Sequence, residues 1–154
     1  DFIGQRRGRP MPIHTIPVSQ ALFPGKYQWR LIVNTASGSL ETPWREVVIL
    51  PSPPLLTSPP NGSTYNLLNA DPLELTWSPV AGAVSYLIEV DNNSSFSSPE
   101  ISQSLEIEPP LSVPETSFNV TFPFAGKFYW RVAAVDYLGN TTYSAVRTIT
   151  VKAP

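Results

Sequence analysis

Glu106 and Glu108 come nearest, by type and spacing, to a catalytic pair in this sequence. At i and i+2 on an extended strand, two carboxylates lie about 7 Å apart on one face, a separation glycosidases also use. Glycosidase pairs flank a cleft, whereas these two lie side by side just ahead of "PPLSVP". That sequence marks a strand edge or loop, where charge discourages strand-to-strand association. His14 is the single histidine, and no Gly-x-Ser-x-Gly elbow supplies a serine for it to activate. It reads as a solvated loop residue. Asp91, Asn92 and Asn93 offer oxygens that suit calcium, but the glycine and downstream glutamate of a calcium loop are missing. An Asx-turn is the expectation there. Arg6, Arg7 and Arg9 stand beside glycines and read as a solvated loop. With no cysteine in the chain, thiol chemistry, a cysteine zinc site and a disulfide framework are excluded. No enzyme activity, cofactor or metal site is expected.

The residues that fit a modification pattern are asparagines. Asn61, Asn92, Asn93, Asn119 and Asn140 each begin Asn-x-Ser/Thr with x other than proline. Asn61, Asn92, Asn93 and Asn140 fall in turn-rich sequence, where a glycan fits. Asn119 falls in a strand candidate and would accept one only if it points outward. In a glycosylating compartment the turn sites are expected ahead of Asn119.

The elements that hold these residues are strands. In "GKFYWRVAAVD" (126–136), Phe128, Trp130, Val132 and Ala134 share one face, against Tyr129, Arg131 and Ala133 on the other. "GKYQWRLIVNT" (25–35) does the same, with Tyr27, Trp29, Leu31 and Val33 against Gln28 and Arg30. Period-two alternation of this kind is a strand with one face in a core. The 18 prolines recur too often for a long helix to survive. With 42% hydrophobic residues, 4 Trp, 6 Tyr and 7 Phe, there is ample material for a packed core. The chain reads as all-β. Its net charge of −2 and lack of a basic stripe argue against nucleic acid. No run of about 18 apolar residues would insert in a membrane. The opening "DFIGQRRGRP" lacks the apolar core of a signal peptide.

The two strands are copies. Thr15 aligns with Thr116, Phe23 with Phe124, Trp29-Arg30 with Trp130-Arg131 and Gly38 with Gly139, all 101 residues apart. At the same offset "REVVIL" lies over "VRTITV". A repeat of roughly 100 residues is one β-sandwich. Residues 61–154 carry a complete set of strands, among them "LELTWSPV", "GAVSYLIEVD", "SLEIE" and "TSFNVTF". Residues 1–50 hold only the C-terminal half of a module, incomplete at its N-terminus, and 51–60 form a proline-rich linker. The half module exposes a face of Tyr27, Trp29, Leu31 and Val33. It calls for cover, either from further strands of a longer tandem chain or from another chain.

"LELTWSPVAGAVSYLIEVD", the "F" and "SSP" after it, and "GKFYWRVAAVDYLGN" resemble the fibronectin type III family, closest to its divergent bacterial surface-protein version. The resemblance covers about residues 55–152, with a half module before them. It implies tandem fibronectin type III-like sandwiches with Trp77 in the core. The family's tyrosine corner falls on Tyr27 in the first copy and on Phe128, which has no hydroxyl, in the second. It also implies a non-catalytic structural module of a secreted or cell-surface protein: a spacer, adhesin stalk, filament or surface-layer component. Its partners would be neighbouring modules of the same protein or other subunits of a surface assembly. The alternative is a carbohydrate- or protein-binding accessory module of a secreted hydrolase. For polysaccharide as partner, Tyr129, Tyr137 and Tyr143 are the available aromatics.

Overall fold

The computed structural model describes residues 22–67, 72–106 and 115–153. In chain order the strands are β1 (Gly25–Trp29), β2 (Ile32–Thr35), β3 (Gly38–Glu41), β4 (Arg45–Ile49), β5 (Leu56–Ser58), β6 (Ser63–Asn66) and β7 (Leu73–Trp77). They continue with β8 (Ala83–Asp91), β9 (Ile101–Glu106), β10 (Ser117–Val120), β11 (Gly126–Asp136), β12 (Thr141–Tyr143) and β13 (Arg147–Lys152). No helix occurs among the described residues, as the proline density requires.

From β5 onward the strands make a two-layer sandwich. One sheet runs β10-β7-β5; the other runs β6-β13-β11-β8-β9, with β12 beside the end of β11. Pairing is antiparallel except between β13 and β6, which are parallel. The core lies between the sheets. Leu75, Trp77, Tyr86, Ile88, Phe128, Trp130 and Val132 form one buried cluster, as the alternation requires. Trp77 and Tyr86 meet edge-on at 5.4 Å between ring centroids, an arrangement the ring quadrupoles favour. The linker expected over 51–60 ends earlier than that. β5 lies inside it and pairs with β7, and Arg147 donates to the carbonyls of Leu56 and Pro59. Leu56 is buried, so the sandwich begins there. An apolar leucine among prolines was the missed signal.

Ahead of β5 the chain forms two two-stranded sheets, β1-β4 and β2-β3. The continuous strand expected over 25–35 breaks at Arg30 and Leu31, whereas β11 runs unbroken over its corresponding stretch. The constant offset of 101 also fails after the break. β1 sets Trp29 opposite Arg45, and β11 sets Trp130 opposite Arg147, so the last strands correspond at an offset of 102. One residue fewer in the preceding turn accounts for the slip. Because a one-residue shift exchanges the two faces of a strand, Val47 and Ile49, rather than Val48 and Leu50, share the face of Tyr27 and Trp29. The tyrosine corner expected at Tyr27 is present, its hydroxyl donating to the Phe23 carbonyl at 2.9 Å. At the equivalent place in the sandwich, the Phe124 and Phe128 rings pack at 5.3 Å instead.

The two parts touch. Pro24 lies against Gly82, so close that a Cβ on Gly82 would stand 2.7 Å from its Cδ. Gly82 also has φ of +77°, so its lack of a side chain is required twice over. A Cβ on Gly25 would meet the Tyr137 hydroxyl at 3.0 Å. Pro51 and Pro54, in the segment that joins them, are buried.

Candidate functional site

Among the catalytic candidates, His14, Glu108 and the Arg6-Arg7-Arg9 cluster lie outside the described residues. Glu106 is exposed at the end of β9, an edge strand. At 91–93 the expected Asx-turn is present: Asp91 Oδ1 accepts from the Asn93 N–H at 2.8 Å, and Asn93 Oδ1 from the Ser95 N–H at 3.0 Å. No group of three or more metal-ligating side chains occurs among the described residues.

The sequons divide by what holds each amide. Asn61 is exposed and uses only its carbonyl, accepting from Thr148 N–H and Oγ1. Asn93 is exposed and likewise uses its carbonyl in the turn. The Asn92 amide donates to Glu100 Oε1 at 2.6 Å. Asn119 is exposed on β10, an edge strand, and points outward. Asn140 differs from the other sequons. It is half-buried, and its amide nitrogen, the atom a glycan would take, donates to Asp136 Oδ2 at 2.9 Å.

Asp136 organises that turn. Its Oδ1 accepts from the N–H of Leu138 and of Asn140, each at 2.9 Å. Burial acts to push its carboxyl up. The hydrogen bonds from the Asn140 side chain and from the Asn140, Leu138 and Gly139 backbone outweigh burial and hold it below the ordinary carboxylate value. Across the core, burial raises the Tyr86 phenol, opposed by the Val80 N–H that donates to its oxygen at 2.7 Å.

The outward face of β11 is covered at its centre. The Arg131 guanidinium lies over the rings of Phe96 (4.1 Å) and Tyr143 (3.9 Å), and its Nε donates to Glu89 Oε2 at 2.7 Å. Glu89 and Phe96 are buried beneath it, Phe96 in the left-handed region with φ of 52°. Sequence reasoning missed this cluster. Period-two placement put Arg131 and Glu89 on the outer face, but Phe96 reaches them from a loop that has no period. The cluster bears on the polysaccharide alternative, because a sugar-stacking aromatic needs a free face. Tyr143 has one face on Arg131 and Tyr129 lies under the Lys127 ammonium at 5.2 Å, while Tyr137, whose hydroxyl end approaches Gly25, is 65% exposed.

The remaining surface is the apolar one. Trp29, Leu31 and Val33 are 52%, 55% and 45% exposed, whereas their counterparts Trp130, Val132 and Ala134 are fully buried. Tyr27 is half-buried, and Val47 is exposed opposite it. The other face of the same sheet has its charges paired internally, with Val48, opposite Lys26, exposed beside them. Lys26 bridges Glu46 at 2.8 Å, and Arg30 pairs with Glu41 while lying over the Trp44 ring at 4.6 Å. Trp44 was not foreseen as Arg30's platform; it lies outside the alternating stretch.

Three strands in one layer, with β9 beside β8 in the other, define a fibronectin type III-like sandwich. No protein-family model and no curated protein matches this sequence. Among solved structures the chain is similar to an engineered protein, at 15% identity and TM-score 0.44, over 70% of this chain and 22% of that one. It is similar also to an FN3tt mutant, at 23% identity and TM-score 0.39, over 68% of this chain and 94% of that one. The FN1–FN3 domains of chicken CNTN1 align at 14% identity and TM-score 0.37, over 83% of this chain and 43% of that one. The chain therefore spans less than two thirds of the first and third of these.

Proposed function

We propose that the chain is a non-catalytic structural part of a secreted or cell-surface protein, a braced piece of a tandem array of fibronectin type III-like sandwiches that sets spacing. One observation carries this reading: the junction is packed. Pro24 sits on Gly82, Gly25 on Tyr137, and Pro51 and Pro54 of the joining segment are buried. A spacer that transmits position needs a stiff joint, and proline-rich linkers are semi-rigid in any case. The sequons on exposed turns suit an extracellular setting. The engagement of Tyr129 by Lys127 and of Tyr143 by Arg131 disfavours polysaccharide binding.

The test is a distance distribution between spin labels at Ser39 and Ser102, on opposite sides of the joint. A narrow distribution that broadens in Pro24→Gly with Tyr137→Ala supports the spacer. A broad distribution in the unaltered chain removes it.

A further inference from the structure

The sandwich shows what covers the face that the N-terminal sheets leave open. β8 lies antiparallel along β11, with Trp130 opposite Val90, Arg131 opposite Glu89 and Val132 opposite Ile88. β5 and β7 close the core from the other layer. Among the described residues no strand is paired along the corresponding edge of β1, and the strand breaks at Arg30 and Leu31, midway along the stretch where a β8-like neighbour would bond. Arg45 adds a second observation. At the offset of 102 its counterpart is Arg147, which clamps β5 by donating to the Leu56 and Pro59 carbonyls. Arg45 occupies the same place opposite Trp29 but has no such carbonyl among the described residues; its guanidinium stands 6.0 Å from the Trp29 ring.

We propose that the face of Tyr27, Trp29, Leu31, Val33, Val47 and Ile49 receives the β5-, β7- and β8-like strands of another module of this repeat type, and that Arg45 is the clamp that holds them. The incoming strand lies antiparallel along 28–33, apolar at every second position, and the β5-like segment offers two backbone carbonyls to Arg45. The occupant needs no charge of its own opposite Arg30, because Glu41 already pairs with that arginine. The proposal rests on the tandem-array reading but not on the stiffness of the joint, which the spin-label distances report separately.

Two chains test it. In the unaltered 154-residue chain at monomeric concentration, amides 27–33 exchange fast, and Trp29→Asp with Leu31→Asp leaves the melting temperature of the sandwich unchanged. In a lengthened chain, a second copy of residues 55–106 is joined directly ahead of Arg6, as the repeat aligns them. There the same amides slow by at least about 100-fold, since even a marginal fold opens rarely, and Trp29 emission moves to shorter wavelength. Arg45→Met reverses the slowing by about tenfold in the lengthened chain, the loss expected for hydrogen bonds from a charged group. It changes nothing in the unaltered one. Three results overturn the proposal. One is a lengthened chain with no slowing at 27–33. Another is an aspartate pair that lowers the melting temperature of the unaltered monomer. The third is an unaltered chain that dimerises with 27–33 protected, which makes a second copy the occupant.

Discussion

Trp130 and Trp29 occupy the same place in two copies of one strand, and truncating each to alanine separates what the residue contributes from what its surroundings contribute. Trp130 is fully buried in the aromatic core. Removing a large aromatic from such a site costs the transfer free energy and leaves a cavity, together about 3–5 kcal/mol. Its indole N–H has no hydrogen-bond partner, and loss of an unpaired buried donor offsets part of that cost, so the lower end of the range applies. For a domain of this size each 1 kcal/mol moves the melting temperature by about 4–8 °C, which puts Trp130→Ala at least about 12 °C down. Trp29 is about half exposed, so at most about half the transfer term is at stake and no closed cavity forms. Because nothing among the described residues packs over Trp29 from a second layer, its loss should leave the melting temperature of the sandwich unchanged.

The assay is thermal and urea unfolding of the full chain carrying each single substitution, followed by circular dichroism, with sedimentation confirming a monomer. The urea slope should be unchanged for both variants, since neither alters the surface exposed by unfolding very much. Comparable losses for Trp29→Ala and Trp130→Ala would refute the reasoning. So would a Trp130→Ala chain that melts within a few degrees of the parent, because the core could not then be centred where the strand pairing puts it.

Asp136 has a folded pKa below its ordinary value of about 3.9. Its stabilising effect is therefore complete above that value and disappears as pH falls through the folded pKa. Melting temperatures between pH 6 and pH 2 should fall less steeply for Asp136→Asn than for the parent, and parallel curves would rule this out. Arg131→Ala leaves the nearly buried Glu89 carboxylate without its partner and should cost about 3–5 kcal/mol. Arg131→Met with Glu89→Leu should recover most of that loss in a double-mutant cycle. In a glycosylating host, peptide mapping should find sugar at Asn61, Asn93 or Asn119 and leave Asn140 bare. High occupancy at Asn140 would mean that the Asp136 turn opens readily.

The sandwich was legible because a half-buried strand writes its burial into the sequence every second residue. Phe128, Trp130, Val132 and Ala134 all face where alternation puts them. β5 was hidden because three residues carry no period, and the prolines around Leu56 read as linker. The slip between offsets 101 and 102 was hidden because "REVVIL" is apolar at successive positions, so either register gives a plausible strand. Only the pairing of Trp29 with Arg45 decides between them. The Arg131 cluster and the amide of Asn140 depend on loop residues brought close by the fold, and no local pattern announces such contacts.

Arg30 and Arg131 show why one face of the repeated strand stands complete without its neighbour while the other does not. Both guanidiniums pair with a carboxylate and lie on an aromatic ring, yet the partners come from different places. Glu41 and Trp44 follow Arg30 within the next fifteen residues or so, whereas Arg131 takes only Tyr143 from its own hairpin and draws Glu89 and Phe96 from dozens of residues earlier. A polar face needs only one or two partners per charge, and the returning hairpin supplies them. An apolar face needs a second layer, because its stabilisation scales with the area taken from water and no single side chain covers four others. β1 and β2 therefore have their outer charges satisfied, with Ile32 and Val48 exposed beside them, and an inner apolar face without its second layer. The exposure of Trp29 follows from which strands lie opposite it, and nothing in "YQWR" itself distinguishes it from the buried "FYWR".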